Sequence, residues 1–204
     1  MAAFHTNLTR TAAGGRRDPK DRYETPDEVV EAVVGPDGPL RNDFSGWRVV
    51  DPCCGTGRVV RCLRRLSFRS AGTDIDEDGL DFLSSAYAKS RGREAACLTN
   101  PPFRHAREFV ERALGVFDGP VAMLLPADFV ASQGRRDWLS GPGRPHRQII
   151  IPWRIRFLKR NGEPISGQAY SHQWLLWGEG RRRAQCTLTD WAPMSDERRR
   201  RAGL

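Results

Sequence analysis

Trp47-Arg48-Val49-Val50-Asp51-Pro52-Cys53-Cys54-Gly55-Thr56-Gly57-Arg58 is the stretch on which the fold turns. Its first four residues have the β-branched character of a short strand, which runs into Asp51. Glycines at 55 and 57 then make a tight turn. Arg58 to Leu66 follows as a helix with Val59, Val60, Leu63 and Leu66 on its inward side. A strand, a glycine turn and a helix in that order form the opening unit of an open α/β sheet, and such sheets bind ligands at the carboxyl ends of their strands.

Working outward, the same alternation repeats. Ser70 to Thr73 reads as a strand ending at Asp74, and Glu94 to Leu98 as another ending at Thr99-Asn100. Arg104 to Phe117 is an amphipathic helix. Further strands fall at Pro120–Leu125, Gln148–Ile151 and, as the last, His172–Trp177. Upstream, Asp27–Val34 has helical periodicity, with Thr25 placed to cap it and Pro26 in its first position. The spacing predicts a Rossmann-like, doubly wound, mostly parallel α/β sheet. Between Asp76 and Thr99 there is little room for further elements, so one edge of that sheet is expected to be trimmed. Residues 1–22 read as a flexible arm and 181–204 as an Arg-rich tail, with four consecutive arginines at Arg198–Arg201. The folded domain is then 23–180, with no separate recognition domain after it.

Composition narrows the partners. The chain has 204 residues and a formal net charge of +8, with a pI near 9.8 and a mean hydropathy of −0.58. No apolar run has the length of a membrane span and the N-terminus has no signal-peptide core, so a cytoplasmic protein without a membrane partner is expected. The excess of positive charge suits a polyanion such as nucleic acid. All but Lys20, Lys89 and Lys159 of the 33 basic residues are arginine, a bias that a GC-rich coding sequence also produces. Five scattered cysteines and four scattered histidines offer no metal-ligand spacing, and reduced thiols are expected.

Asp51 to Gly57 fails as a dinucleotide fingerprint, because G-x-G-x-x-G would require glycine at Val60. Pyrophosphate is therefore not the favoured ligand. Asp74, at the end of the next strand, stands where an acid accepts hydrogen bonds from ribose hydroxyls, although Asp74 and Asp76 also suit an ordinary turn. The two motifs together point to an adenosyl ligand with an amino-acid end.

Asn100-Pro101-Pro102-Phe103 carries the chemistry. The lone pair of an aromatic exocyclic amine is delocalised into its ring. A site that accepts both amine hydrogens favours a pyramidal nitrogen and frees that pair for attack on a sulfonium methyl. The Asn100 side-chain oxygen and the Pro101 carbonyl can be those acceptors, with the prolines locking the turn. Phe103 can stack on a base turned out of its helix. Asn-Pro-Pro-aromatic arises by chance in a chain of this length at a frequency on the order of 10⁻³.

On these residues the chain resembles the class I S-adenosylmethionine-dependent amino-methyltransferases, in particular the small phage-type and prophage-type DNA adenine-N6 methyltransferases, over about Asp21 to Gly178. The resemblance implies S-adenosylmethionine as cofactor. It implies that Tyr23, Thr25 and Pro26 contact the methionine part, and that Asp51, Pro52, Cys53, Gly55 and Gly57 form the glycine loop. It places Asp74 at the ribose, with Ile75 beside it among the cofactor-binding residues, Asp81-Phe82 at the adenine, and Asn100 to Phe103 at the target amine. Arg154, Arg156, Lys159 and Arg160, interleaved with Trp153 and Phe157, suit phosphates and stacking, or equally a basic hairpin with one buried aromatic side. The expected substrate is adenine N6 in DNA, read with short or relaxed sequence specificity. RNA (adenine N6 or guanine N2) and protein glutamine are alternatives, as is a nucleic-acid-binding module with a decayed site.

Overall fold

The computed structural model describes residues 23–85, 87, 94–165, 170–178, 188–197 and 200. In chain order the helices are α1 (Asp27–Val34), α2 (Arg41–Phe44), α3 (Arg58–Arg65), α4 (Ala106–Val116) and α5 (Arg136–Ser140). The strands are β1 (Arg48–Asp51), β2 (Arg69–Gly72), β3 (Ala95–Thr99), β4 (Val121–Pro126), β5 (Arg147–Ile155), β6 (Tyr170–Trp177) and β7 (Leu188–Trp191). They form one sheet in the order β2-β1-β3-β4-β6-β5-β7. Only β6 runs antiparallel to its neighbours, β4 and β5; the other pairings are parallel.

The central strands are apolar because both faces of the sheet are covered. Val49, Ala96, Leu98, Leu124 and Trp174 point to one face, where α1, α2 and α3 pack. Val50, Cys97, Met123, Leu125 and Leu175 point to the other, under the α4 stripe of Phe109, Val110 and Ala113. The buried Trp174 indole N–H finds the Val29 carbonyl in α1 at 3.2 Å, so the tryptophan ties helix to sheet without an unmet donor.

β2 is the edge strand among the described residues, in line with the trimmed edge expected. The structure differs from the sequence reading in three places. Pro26 rather than Thr25 holds the N-cap position of α1, with backbone angles of −60° and 142° and no side-chain cap; Thr25 is buried. Strand β5 runs on through Pro152 to Ile155, because a bulge between Ile150 and Arg154 takes up the residue that cannot join the ladder. A seventh strand, β7, lies in the Arg-rich C-terminal stretch, beyond the strand read as the last. It is held by Arg147, which donates to Asp190 Oδ2 at 2.6 Å and to Asp43 Oδ2 at 3.0 Å. The arm at 1–22 and the consecutive arginines other than Arg200 lie outside the described residues.

Candidate active site

The chain steps from β1 outward to β2, then crosses to β3 on the other side of β1. The carboxyl ends of β1 and β3 therefore flank a topological switch point, where open α/β sheets form their ligand crevice. A cavity of about 400 Å³ opens there.

Its floor is the glycine turn. Gly55 (φ 51°) and Gly57 (φ 83°) both have left-handed backbone, which L side chains adopt only at a cost. At Gly55 there is also no room: a Cβ would stand 2.6 Å from Glu24 Oε1. The Gly55 N–H donates to Asp74 Oδ2 at 2.9 Å, and Asp76 N–H donates to Asp74 Oδ1 at 2.9 Å. The carboxylate at the end of β2 is thus locked against the turn after β1.

A second network joins this turn to the Asn-Pro-Pro motif. Thr99 Oγ1 donates to Asp51 Oδ1 at 2.6 Å, and the Cys53 N–H reaches the same oxygen at 3.2 Å. The Cys53 thiol lies 2.8 Å from Thr99 Oγ1 and 3.3 Å from the Asn100 carbonyl oxygen. Asp51 is 1% exposed. Burial outweighs its hydrogen bonds and pushes its carboxyl up from 3.8 to about 7.

Asn100 Nδ2 donates to the Tyr23 carbonyl at 3.4 Å. Its Oδ1 is buried and has no partner among the described residues. The Pro102 carbonyl accepts from His105 N–H at 2.9 Å; no described hydrogen bond uses the Pro101 carbonyl. Phe103 packs beside this motif in an aromatic group, 5.2 Å from the His172 ring and 6.4 Å from Phe157.

The structure brings most of the expected residues together. Tyr23, Thr25, Asp51, Pro52, Cys53 and Gly55 line the cavity, as do Asp74, Ile75, Asp81 and Phe82. On the catalytic side Asn100 and Pro102 line it. Pro26 and Gly57 do not: the first caps α1 and the second turns the chain into α3. Pro101, which is buried, and Phe103, which is half-buried, are not among the lining residues and flank Pro102, which is. Phe82 is a core residue as well as a lining one, 4.9 Å from the Tyr87 ring and 5.1 Å from Phe109.

Of the four basic residues proposed for nucleic acid, only Arg160 reaches the cavity rim, where it pairs with Glu77. Lys159 pairs with Glu163 at 3.3 Å. Arg154 and Arg156 are exposed. The interleaved aromatics do not face outward with them. Phe157 is buried and Trp153 packs against the core, because alternation along the strand turns odd-numbered residues inward. Phe157 is thereby withdrawn from stacking on a base, and Trp153 is half-buried.

The sequence reading passed over Glu24. Its Oε1 accepts the Thr56 N–H at 3.0 Å, and its backbone pairs twice with Leu158, at 2.9 and 3.0 Å. It joins the entry segment, the glycine turn and the loop after β5. Its place between Tyr23 and Thr25 was the available signal. Leu80, Leu83, Arg104 and His105 also line the cavity and carry no motif of their own.

No family model matches the chain, and no curated protein matches it in sequence. Solved structures do match in fold. The methyltransferase subunit of a type I restriction-modification system from Streptococcus thermophilus superposes with a TM-score of 0.53 at 14% identity, over 79% of this chain and 46% of the other. A putative class I S-adenosylmethionine-dependent methyltransferase from Listeria monocytogenes gives 0.55 at 12% identity, over 83% and 65%. The chain thus spans about half to two thirds of the length of these neighbours. Its fold is that of the class I methyltransferases.

Proposed function

We propose that this protein transfers a methyl group from S-adenosylmethionine to the exocyclic N6 amine of adenine in DNA. The observation that carries the reading is Asn100. Its amide nitrogen is engaged by Tyr23, and its oxygen is buried without a partner at the wall of a cavity. A buried acceptor left unmet costs about 1–3 kcal/mol, a cost offset when a substrate N–H arrives.

The residues present fit the cofactor. The backbone at Gly55 admits a ligand where a Cβ would not fit, and Asp74 keeps lone pairs for ribose hydroxyls beyond its two backbone bonds. Tyr23 and Thr25 serve the methionine end and Asp81 and Phe82 the adenine end, with Ile75 also in the cavity lining. S-adenosylmethionine supplies the methyl group on a sulfonium centre. Asn100 Oδ1 and the Pro101 carbonyl accept the two amine hydrogens, so the nitrogen lone pair is turned out of the ring plane toward that methyl. The Asp51–Thr99–Cys53 network fixes the distance between cofactor turn and acceptor pair, which is positioning and electrostatic pre-organisation. Phe103, backed by His172 and Phe157, offers a ring for the displaced base.

DNA is favoured by the net charge of +8 and by one fold neighbour that is a subunit of a restriction-modification system. The cytoplasm is the matching compartment. The test is transfer of radiolabelled methyl from S-adenosylmethionine to unmethylated DNA, with RNA and protein as parallel acceptors, followed by nucleoside analysis. N6-methyladenine in DNA is the expected product. Label confined to RNA or protein overturns the substrate, and no label on any acceptor overturns the enzyme.

A further inference from the structure

Two large apolar side chains are exposed among the described residues, Ile75 at 60% and Trp191 at 64%. Ile75 lines the cavity. Trp191 stands on β7, the far edge of the sheet, where the proposed reaction gives it nothing to do.

Strand geometry fixes what lies beside it. Trp191 is in register with Ile150 of β5, and paired residues share a face. On β5, Ile149, Ile151 and Ile155 turn into the core on the α1 face, as does Phe157 two residues past the strand end. The even-numbered residues therefore share the opposite face with Trp191. There Gln148, Ile150 and Pro152 are half-buried and Arg154 is exposed; Arg156, just past the strand end, is exposed as well. On that face α4 packs at β4, and Phe129, with Trp138 of α5, joins the same core; among the described residues nothing covers Trp191, which stays 64% exposed. Ala192 next to Trp191 is buried, with its N–H on the Ile150 carbonyl at 2.8 Å, and Arg147 holds Asp190. The indole is therefore mounted on a fixed strand.

Direction matters too. β5 is antiparallel to β6, which is antiparallel to β4. The carboxyl end of β5, with Arg154 and Arg156, thus lies at the same end of the sheet as Asp51 and Asn100. From the Ile150 level to Arg154 is at most about 13 Å of strand. Neither Arg154 nor Arg156 has an ion-pair partner among the described residues, in contrast to Lys159 and Arg160.

We propose that Trp191, Arg154 and Arg156 form a track for one unpaired nucleic-acid strand leading to the cavity. A base stacks on the indole and phosphates lie on the two guanidinium groups. The proposal rests on nucleic acid being the substrate. An exposed aromatic near unpaired cations is the arrangement that single strands use without base readout, and it supplies the stacking surface that the buried Phe157 and the core-packed, half-buried Trp153 do not.

Anisotropy of a labelled single-stranded oligothymidylate, titrated with the full chain, tests it. Trp191→Ala should weaken binding about tenfold, from the usual worth of one stacked base, and Trp191→Phe should retain most of the affinity. Arg154→Ala combined with Arg156→Ala should lower the slope of log K against log salt by about 1.4, for two phosphates on a single strand. Unchanged affinity in Trp191→Ala overturns the track. So does a Trp191-dependent dimer by sedimentation with oligonucleotide binding intact, which would make the face a contact with a second copy. Methyl transfer by the unaltered chain is measured alongside. Trp191-dependent binding without any transfer leaves the track standing and sinks the enzyme reading, whereas transfer with indifferent Trp191→Ala does the reverse.

Discussion

Asp51→Asn separates the electrostatics of the site from its shape. The buried carboxyl has its pKa raised from 3.8 to about 7, chiefly by burial. The folded protein therefore holds a proton there that the unfolded chain gives up above pH 4. A group raised in this way stabilises the fold fully below its unfolded pKa, and that contribution is lost as pH climbs through the folded value. Roughly 3 pH units at about 1.4 kcal/mol each give about 4 kcal/mol in all, of which about 3 kcal/mol disappears between pH 5 and pH 8. Asparagine keeps the oxygen that accepts from Thr99 and Cys53 and cannot ionise. Urea unfolding of both proteins at pH 5, 6, 7 and 8 reads the difference. The variant should gain about 3 kcal/mol on the parent over that range, nearly all of it between pH 5 and pH 7, with the difference levelling off above pH 7. Parallel pH profiles would refute the assignment of a protonated Asp51, and with it the claim that burial governs this carboxyl.

The remaining predictions concern the turn, the acceptor, the stacking ring and the sheet edge. Gly55→Ala should lower S-adenosylhomocysteine affinity at least tenfold by calorimetry. A left-handed alanine costs about 1–3 kcal/mol, and its Cβ must also displace Glu24 from Thr56. Asn100→Ala should reduce methyl transfer by roughly 10²–10³ while S-adenosylhomocysteine affinity stays within about twofold, since the carboxamide faces the substrate side of the cavity. Phe103→Ala should slow transfer more on duplex than on pre-unpaired DNA; equal losses in single-turnover assays would count against base flipping. Arg147→Ala should cost about 1–2 kcal/mol in urea unfolding, because one partly buried guanidinium holds both Asp43 and Asp190.

Much of this was legible in the sequence where a single physical signal dominates. β3 and β4 are apolar runs because both faces are buried, and the glycine turn after β1 is announced by Gly55 and Gly57. Asn100 was visible because no structural demand explains an asparagine between a strand and two prolines. The misses are places where distant residues decide. β7 is four residues of middling β character within an arginine-rich stretch, and it exists through the ladder with β5 and the Arg147 bridge. Pro152 argued for the end of β5, and a bulge overrode it. The facing of Trp153 and Phe157 depends on strand parity, which cannot be set without knowing where the strand starts and whether a bulge preserves it. Glu24 acts through Leu158, more than a hundred positions away, and local pattern carries nothing of that contact.

One consequence of the network around Cys53 concerns self-injury. This sulfur sits in the wall of a chamber proposed to hold an electrophilic methyl donor, and a thiolate there would be the strongest nucleophile at hand. Burial and the neighbouring Asp51 push the thiol well above its usual pKa, so the sulfur stays protonated and unreactive toward alkylation. The same packing that fastens the turn to the Asn-Pro-Pro segment thereby keeps the protein from becoming its own acceptor.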